Sequence, residues 1–204
     1  MEFKEIIKTR KSVRYFDQTK NITKGEIVVM LEEAMRAPSG NNLQPWRVFA
    51  VTNKVVKEQL KAAAFGQTQV TEAPVVFVFF AKKDGYKSAG AVYDLAIEAG
   101  FMTAEAKAKG LENMLAFYEN AAPEIVERNA VVDTSLLAMQ MMLVVKDHGY
   151  DSVPMSGYNS AKIAEVLGVG PELVPIMMLP VGVAAKKAHD TIRFAAEEVT
   201  IFID

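Results

Sequence analysis

The segment from Val75 to Phe80 limits the possible folds more than any other part of the chain. All six side chains in Val-Val-Phe-Val-Phe-Phe are apolar, and each is β-branched or aromatic, which favours a strand. Successive side chains of a strand point to opposite faces of its sheet, so this strand needs apolar cover on both faces. The sequence therefore predicts a buried sheet with packed layers on either side.

Helices predicted elsewhere can supply those layers. Thr23 and Glu26 have capping-box spacing and open one helix, which Pro38-Ser39-Gly40 follows. Further helices are predicted around residues 3–7, 56–63, 86–120, Pro123 to His148, and Ser160 to Leu167, with Ser160 as the cap. Strands are predicted at 47–52 and 174–183, and Pro175 and Pro180 place the second of these at a sheet edge. Few strands scattered among helices indicate an α+β or mixed α/β class, with a small sheet inside a helical shell.

The most apolar stretch runs from Val131 to Val145 within the long predicted helix. It is apolar on nearly every face, which predicts a central position or a place in a subunit interface. It contains Asp133, Ser135 and Gln140 and falls short of the roughly 20 apolar residues that a membrane span needs. We therefore expect a buried helix.

Composition excludes several classes of protein. The chain has 204 residues, of which 50% are hydrophobic and 24% charged, so we expect a single globular domain over residues 1–204. The formal charge is −2 with no basic run, so neither nucleic acid nor a membrane surface is an expected partner. With no cysteine and two isolated histidines, no metal site is expected. The N-terminus lacks the apolar region of a signal peptide, so we expect a cytoplasmic location.

Two polar segments stand out as candidate binding elements. In the first, Arg10, Ser12 and Arg14 alternate, so an extended backbone would point them to one side. Two guanidinium groups and a hydroxyl suit a phosphate or carbonyl oxygens. A cationic helix end at the surface would have the same composition, so the residues alone leave both interpretations open.

The second segment runs from Ala37 to Arg47 and holds a serine, two asparagines and a glutamine between two prolines. Amides of this kind can bind a heteroaromatic edge that carries both donors and acceptors. A turn after a helix needs the same residue types, so here too a purely structural role stays open. A dinucleotide fingerprint is not present, because Leu173 stands where Gly168-Val169-Gly170 would need its third glycine.

Taken together, the two segments resemble the FMN-dependent nitroreductase family. The resemblance rests on R-x-S-x-R-x-F at Arg10–Phe16 followed by A-P-S-G-N-N-L-Q-P-W at Ala37–Trp46. It continues in Gln67-x-Gln69, in Val153–Tyr158 and in Arg193-Phe194. The family implies a small, mostly antiparallel central sheet surrounded by helices, in a domain-sharing homodimer with FMN at the subunit interface.

The resemblance also implies which residues bind the flavin. The phosphate, ribityl and pyrimidine parts would contact the first segment, the loop from the partner subunit would cover the ring, and Gln67 or Gln69 would meet the pyrimidine edge. Ser156 and Gly157 would lie near flavin N5, and no protein residue would be catalytic. The implied cofactor-binding residues are Arg10, Lys11, Ser12, Arg14, Pro38, Ser39, Gly40, Asn42, Gln67, Gln69, Pro154, Met155, Ser156, Gly157 and Arg193.

Two positions depart from the family pattern. Many members have Glu where this chain has Ser156, and many have Lys where it has Thr191, so substrate and phosphate contacts are expected to differ there. The activity implied is hydride transfer from NADH or NADPH through FMN to nitroaromatic or quinone acceptors, in ping-pong order. Flavin cleavage, dehalogenation, dehydrogenation and a low-turnover flavin-binding module are the alternatives.

Overall fold

Four strands form a central antiparallel sheet in a computed structural model that describes residues 2–203. Their order across the sheet is β1-β2-β4-β3. The strands are β1 (Trp46–Val51), β2 (Val75–Lys82), β3 (Asp151–Ser152) and β4 (Leu173–Gly182). The helices are α1 (Phe3–Thr9), α2 (Lys24–Ala34), α3 (Lys54–Ala63), α4 (Gln69–Glu72), α5 (Ala89–Glu98), α6 (Ala104–Asn120), α7 (Pro123–Asp147), α8 (Ser160–Leu167) and α9 (Ala196–Val199).

Strand β2 is buried on both faces, as its sequence predicts. Phe77 and Phe79 point into one core cluster, which α2 and α7 complete. Val78 and Phe80 point into a second cluster, to which α3 and α8 contribute Leu60 and Ile163 among others. The predicted arrangement of a small sheet inside a helical shell is therefore confirmed.

Strand β4 lies inside the sheet, between β2 and β3, so the prediction that its prolines place it at an edge is wrong. Its partner β3 has only two residues, so this side of β4 carries few ladder hydrogen bonds. The carbonyl of Pro180 accepts from the Val153 N–H on that side, at 3.2 Å. The missing proline N–H faces the same side, because both groups of one residue point the same way along a strand.

Local sequence signals predicted some helix ends correctly and others not. Thr23 and Glu26 form the expected capping box at the start of α2. At α8 the cap is Asn159, whose side chain accepts from the Lys162 N–H, so the assignment of Ser160 as the cap is wrong by one residue. The long helical region at 86–120 divides into α5 and α6 around Gly100, which has a φ of +74°.

The face of α7 that includes Leu137, Met141 and Val145 is buried in the first core cluster. Its opposite face leaves Val132 and Leu136 exposed. Among residues 2–203, α7 is also the one helix long and apolar enough to cross a membrane, with a mean hydropathy of 1.2. Its packing against the sheet is typical of a core helix.

The C-terminal residues extend away from the core. Residues 183–185 still pair with the N-terminal segment, since Ala185 N–H donates to the Tyr15 carbonyl and Asp17 N–H donates to that of Val183. From 189 to 203 every residue is exposed, and Ile192 and Ile203 each expose 94% of their surface. This run of exposed apolar side chains is unusual for a chain that stands alone.

Candidate functional site

The N-terminal segment 10–16 is anchored to the core at its middle and at its C-terminal end. Val13 N–H donates to the Ser152 carbonyl at 3.0 Å, and Phe16 N–H donates to the Glu72 carboxylate at 3.3 Å. Val13 and Phe16 are themselves buried in the second core cluster. Because these two residues fix the backbone, the side chains between and before them are held in place at the surface.

Three side chains of this segment are left without a partner. Within residues 2–203, Arg10, Ser12 and Arg14 make no side-chain hydrogen bond or ion pair. Lys11, by contrast, pairs with Asp190, so only its backbone remains to contribute. Two guanidinium groups and a hydroxyl at alternate positions are thus available to an anionic ligand.

The two glutamines meet the 154–157 loop. Gln67 Nε2 donates to the Gly157 carbonyl at 3.0 Å and to the Ala64 carbonyl at 3.1 Å. Gln69, which is only 7% exposed, donates to Gln67 Oε1 at 3.0 Å and contacts the sulfur of Met155. Gln69 Oε1 accepts no hydrogen bond from the described residues, so it is the acceptor that remains for a ligand.

The loop at 154–157 is held by β4. Met155 and Met178 exchange both backbone hydrogen bonds, at 2.8 and 3.0 Å, and both side chains are buried. Ser156 and Gly157 follow as exposed residues, so their backbone is open to solvent. The next residue, Tyr158, packs back against the second core cluster, where burial raises its pKa to about 12.

These elements form one surface region, which we call the polar recess: Arg10, Ser12, Arg14, Gln67, Gln69 and the 154–157 loop. The parallel bridge between Ser12 and Ser152 and the contacts of both glutamines with the loop bring its members together. It offers cations, an amide acceptor and exposed backbone groups, and it contains no paired acid and base. Such a set can bind a planar polar ring with an anionic tail.

The loop from Pro38 to Gln44 contacts helices α6 and α7. Gly40 N–H donates to both carboxylate oxygens of Asp133 on α7, at 3.1 and 3.2 Å. Ser39 Oγ accepts from the Gln44 N–H at 3.1 Å. Leu43 packs in a third cluster with Tyr118 of α6.

One chain therefore does not assemble every residue expected at the site. Among residues 2–203, neither Ser39 and Gly40 nor the exposed Asn42 makes a hydrogen bond to the polar recess. Arg193 Nη1 donates to the carbonyl of the neighbouring Ile192, in the exposed C-terminal run. The residues expected at one site thus lie in three parts of the chain: the polar recess, the loop at 38–44 and the exposed C-terminal run.

Sequence reasoning missed several residues that position the site. Glu72 holds the segment 10–16, and Lys57, which is 6% exposed, donates to the Ala73 carbonyl at 2.6 Å at the end of α4. Burial lowers the pKa of Lys57. Lys57 could have been found from the sequence, because it lies within the apolar stripe of α3. No local sequence pattern marks Glu72.

Comparison with known proteins identifies the family of the chain. The model of the nitroreductase family matches residues 7–183. YdgI of Bacillus subtilis strain 168, provisionally named as an NAD(P)H nitroreductase, is 36% identical over 200 residues, which are 97% of this chain and 96% of YdgI. An enone reductase of CLA biosynthesis from Lactiplantibacillus plantarum is 33% identical, over 98% of this chain and 93% of that protein.

A solved structure extends the agreement to three dimensions. The crystal structure of a provisionally named nitroreductase of Exiguobacterium sibiricum 255-15, in complex with FMN, superimposes with a TM-score of 0.96. It is 33% identical, and the match covers 100% of this chain and 98% of the other. Family model, sequence and fold agree over nearly the whole length: the chain belongs to the nitroreductase family.

Proposed function

We propose that the protein is an FMN-dependent oxidoreductase that takes hydride from NADH or NADPH and reduces nitroaromatic or quinone-type acceptors. One observation carries this proposal: the side chains of Arg10, Ser12 and Arg14 have no partner within residues 2–203, while the Ser12–Ser152 bridge and the glutamine contacts link their segment and the glutamine pair to the region at 152–157. Membership of the nitroreductase family supports it.

The recess fits FMN group by group. FMN has a phosphate, a pyrimidine edge with donors and acceptors, and a planar ring. The guanidinium groups of Arg10 and Arg14 suit the phosphate and nearby polar oxygens, and Ser12 adds a hydroxyl. Gln69 Oε1 suits a ring N–H, since Gln67 Oε1 already accepts a hydrogen bond from Gln69 Nε2.

Bound FMN would supply the redox chemistry, passing a hydride from the nicotinamide to the acceptor. The protein's task is then binding and orientation. The exposed backbone of Ser156 and Gly157 can orient the reacting edge of the ring. Hydride transfer through FMN requires no covalent nucleophile, so no residue of the protein is assigned a catalytic role.

A second copy of the chain would complete the site. The loop Pro38–Asn42 and Arg193 make no hydrogen bond to the recess within residues 2–203, while the tail and one face of α7 expose apolar side chains. We propose a homodimer in which these elements reach the partner's flavin, with Arg193 and Arg10 sharing the phosphate. A cytoplasmic location and the lack of nucleic-acid or membrane partners stay predictions.

A second acceptor class follows from one relative. The enone reductase of L. plantarum is 33% identical over nearly the full length, so a carbon–carbon double bond conjugated to a carbonyl is a candidate acceptor. Such a bond accepts hydride as nitro groups and quinones do. An acceptor panel of nitroaromatics, quinones and enones separates these possibilities.

Kinetics test the proposal. The purified protein should release FMN. It should oxidise NADH or NADPH over repeated turnovers only when an acceptor is present, because without one the reaction stops once the bound flavin is reduced. If nicotinamide and acceptor use the same flavin face in turn, double-reciprocal plots are parallel. Intersecting lines would reject the ping-pong order, and a protein that neither binds FMN nor oxidises either nicotinamide would reject the function.

A further inference from the structure

Asp133 is the polar residue of α7 that contacts the loop at 38–44. Its carboxylate accepts the Gly40 N–H through both oxygens, at 3.1 and 3.2 Å. Burial raises the pKa of Asp133, while the Gly40 hydrogen bond acts against that shift. Within residues 2–203 Asp133 forms no ion pair, and Gly40 is its hydrogen-bond partner.

The loop that Asp133 contacts has a demanding backbone. Asn41, Asn42 and Gln44 have φ values of 52°, 54° and 50°, in the left-handed region that non-glycine residues seldom adopt. Such conformations persist where the surroundings fix them. Ser39 Oγ fixes one end through the Gln44 N–H, and Asp133 fixes the other through Gly40.

The surroundings of Asp133 are set by α6 and the turn after β2. The Tyr118 ring stacks on Tyr86, with centroids 5.0 Å apart, and Leu43 packs beside them. A narrow crevice here is lined by Leu43, Tyr86, Tyr118 and Asp133. The crevice is also lined by Lys82, Lys83 and Asn129, so the half-buried carboxylate lies among apolar and polar groups, and its hydrogen bond to Gly40 ties it to the loop.

From this geometry we infer that Asp133 is a positioning residue for flavin binding. It holds Gly40, and through Gly40 it keeps Ser39 and Asn42 in the conformation in which the loop covers the flavin. This rests on the proposed function. Asp133 acts on the loop through the Gly40 N–H, so its effect on the flavin is indirect.

Asp133→Ala, Asp133→Asn and Gln140→Ala test the inference. Gln140 is a matched control, because it also lies on α7 and donates one side-chain hydrogen bond to a backbone group, the Glu33 carbonyl at 3.0 Å. Each full-length protein is freed of flavin and titrated with FMN. Amide hydrogen exchange of residues 40–44 is measured on the same samples without flavin.

We expect Asp133→Ala to weaken FMN affinity about tenfold, the loss of one hydrogen bond to a charged acceptor. Exchange at 40–44 should become faster. Asp133→Asn keeps one acceptor oxygen and should restore part of both properties, and Gln140→Ala should leave the exchange at 40–44 unchanged. If Asp133→Ala does not fold, Asp133→Asn decides by the same two measurements.

Wild-type affinity together with wild-type exchange in the Asp133 variants would overturn the inference. So would equal losses in Gln140→Ala, which would mean that α7 had been disturbed in general. If the wild-type protein does not bind FMN, the proposed function fails, and exchange at 40–44 still reports whether Asp133 holds the loop. The two failures are therefore distinguishable.

Discussion

Alternation along the segment 10–14 is the residue pattern on which the site depends. Because Val13 and Phe16 are buried, Arg10, Ser12 and Arg14 are left at the surface without partners among the described residues. From spacing alone, the sequence predicted that Arg10, Ser12 and Arg14 would share one side of an extended backbone, and it did not predict the burial of Phe16. It did not predict that Asp190 would pair with Lys11, because that contact joins residues far apart in the chain.

Charge reversal at Arg10 is the sharpest test of this segment. Arg10→Glu should weaken FMN affinity at least about hundredfold, because it replaces a charge-assisted contact worth roughly 3 kcal/mol with repulsion. Lys4→Glu is the matched control, since it makes the same charge change on exposed α1. Full FMN occupancy in Arg10→Glu would mean that the phosphate binds elsewhere.

The glutamine pair gives a second prediction for single residues. Gln69→Leu should weaken FMN affinity about tenfold, because it removes the acceptor that the recess leaves free. Gln67→Leu should weaken it less, since the Gln67 amide binds the Ala64 and Gly157 carbonyls. Flavin titration of both variants would show the reverse order if Gln67 were the direct contact.

Individual elements were predictable in proportion to their length and composition. Strand β2 and helix α7 carry long apolar patterns, and Pro123 and Gly149 mark the limits of α7. The four-residue α4 and the two-residue β3 are too short to show a period, although both hold the site. Strand β4 was misplaced because Pro180 faces the β3 side, which has few ladder hydrogen bonds, and because Pro175 lies where the pairing with β2 shifts register.

The N-terminal cap of α2 predicts a pH effect. Hydrogen bonds from the Thr23 hydroxyl, the Tyr150 hydroxyl and the Thr23 N–H lower the pKa of Glu26 from 4.5 to about 2. Since the folded pKa is the lower one, the stabilisation is complete above pH 4.5 and is lost as the pH falls towards 2. Glu26→Gln should therefore lower Tm at pH 7, by a margin that shrinks below pH 4.5.

Thermal melts across this pH range check the prediction. Glu32→Gln, an exposed carboxylate on the same helix, controls for the loss of one charge. A Tm difference between wild type and Glu26→Gln that stays constant from neutral to acid pH would contradict the assignment of the cap.

At the scale of the molecule, the site is divided among parts that one chain does not bring together. The sequence motifs identified the family, but in the proposed homodimer the contacts of the loop and the tail depend on a second copy, which no local pattern specifies. The exposed Ile192, Phe194 and Ile203 and the exposed face of α7 fit burial against a partner. The tail and the loop would then serve the partner's recess.

Assembly and flavin binding should therefore be linked. Light scattering is expected to give about twice the 22.4 kDa chain mass wherever FMN is bound, and FMN should raise Tm by mass action. Truncation after Lys187, which removes the exposed run, should weaken both dimerisation and FMN binding. A stable monomer with stoichiometric FMN would contradict the shared site.

The central claim is that the recess binds FMN and that the bound flavin accepts hydride from a reduced nicotinamide. The most direct measurement is the visible absorbance of the purified, flavin-loaded protein under anaerobic conditions. We predict that NADH or NADPH bleaches this absorbance and that a nitroaromatic, a quinone or an enone then restores it, with FMN as the flavin released on denaturation. A protein that releases a different flavin, or whose bound FMN neither nicotinamide can bleach, would contradict the account.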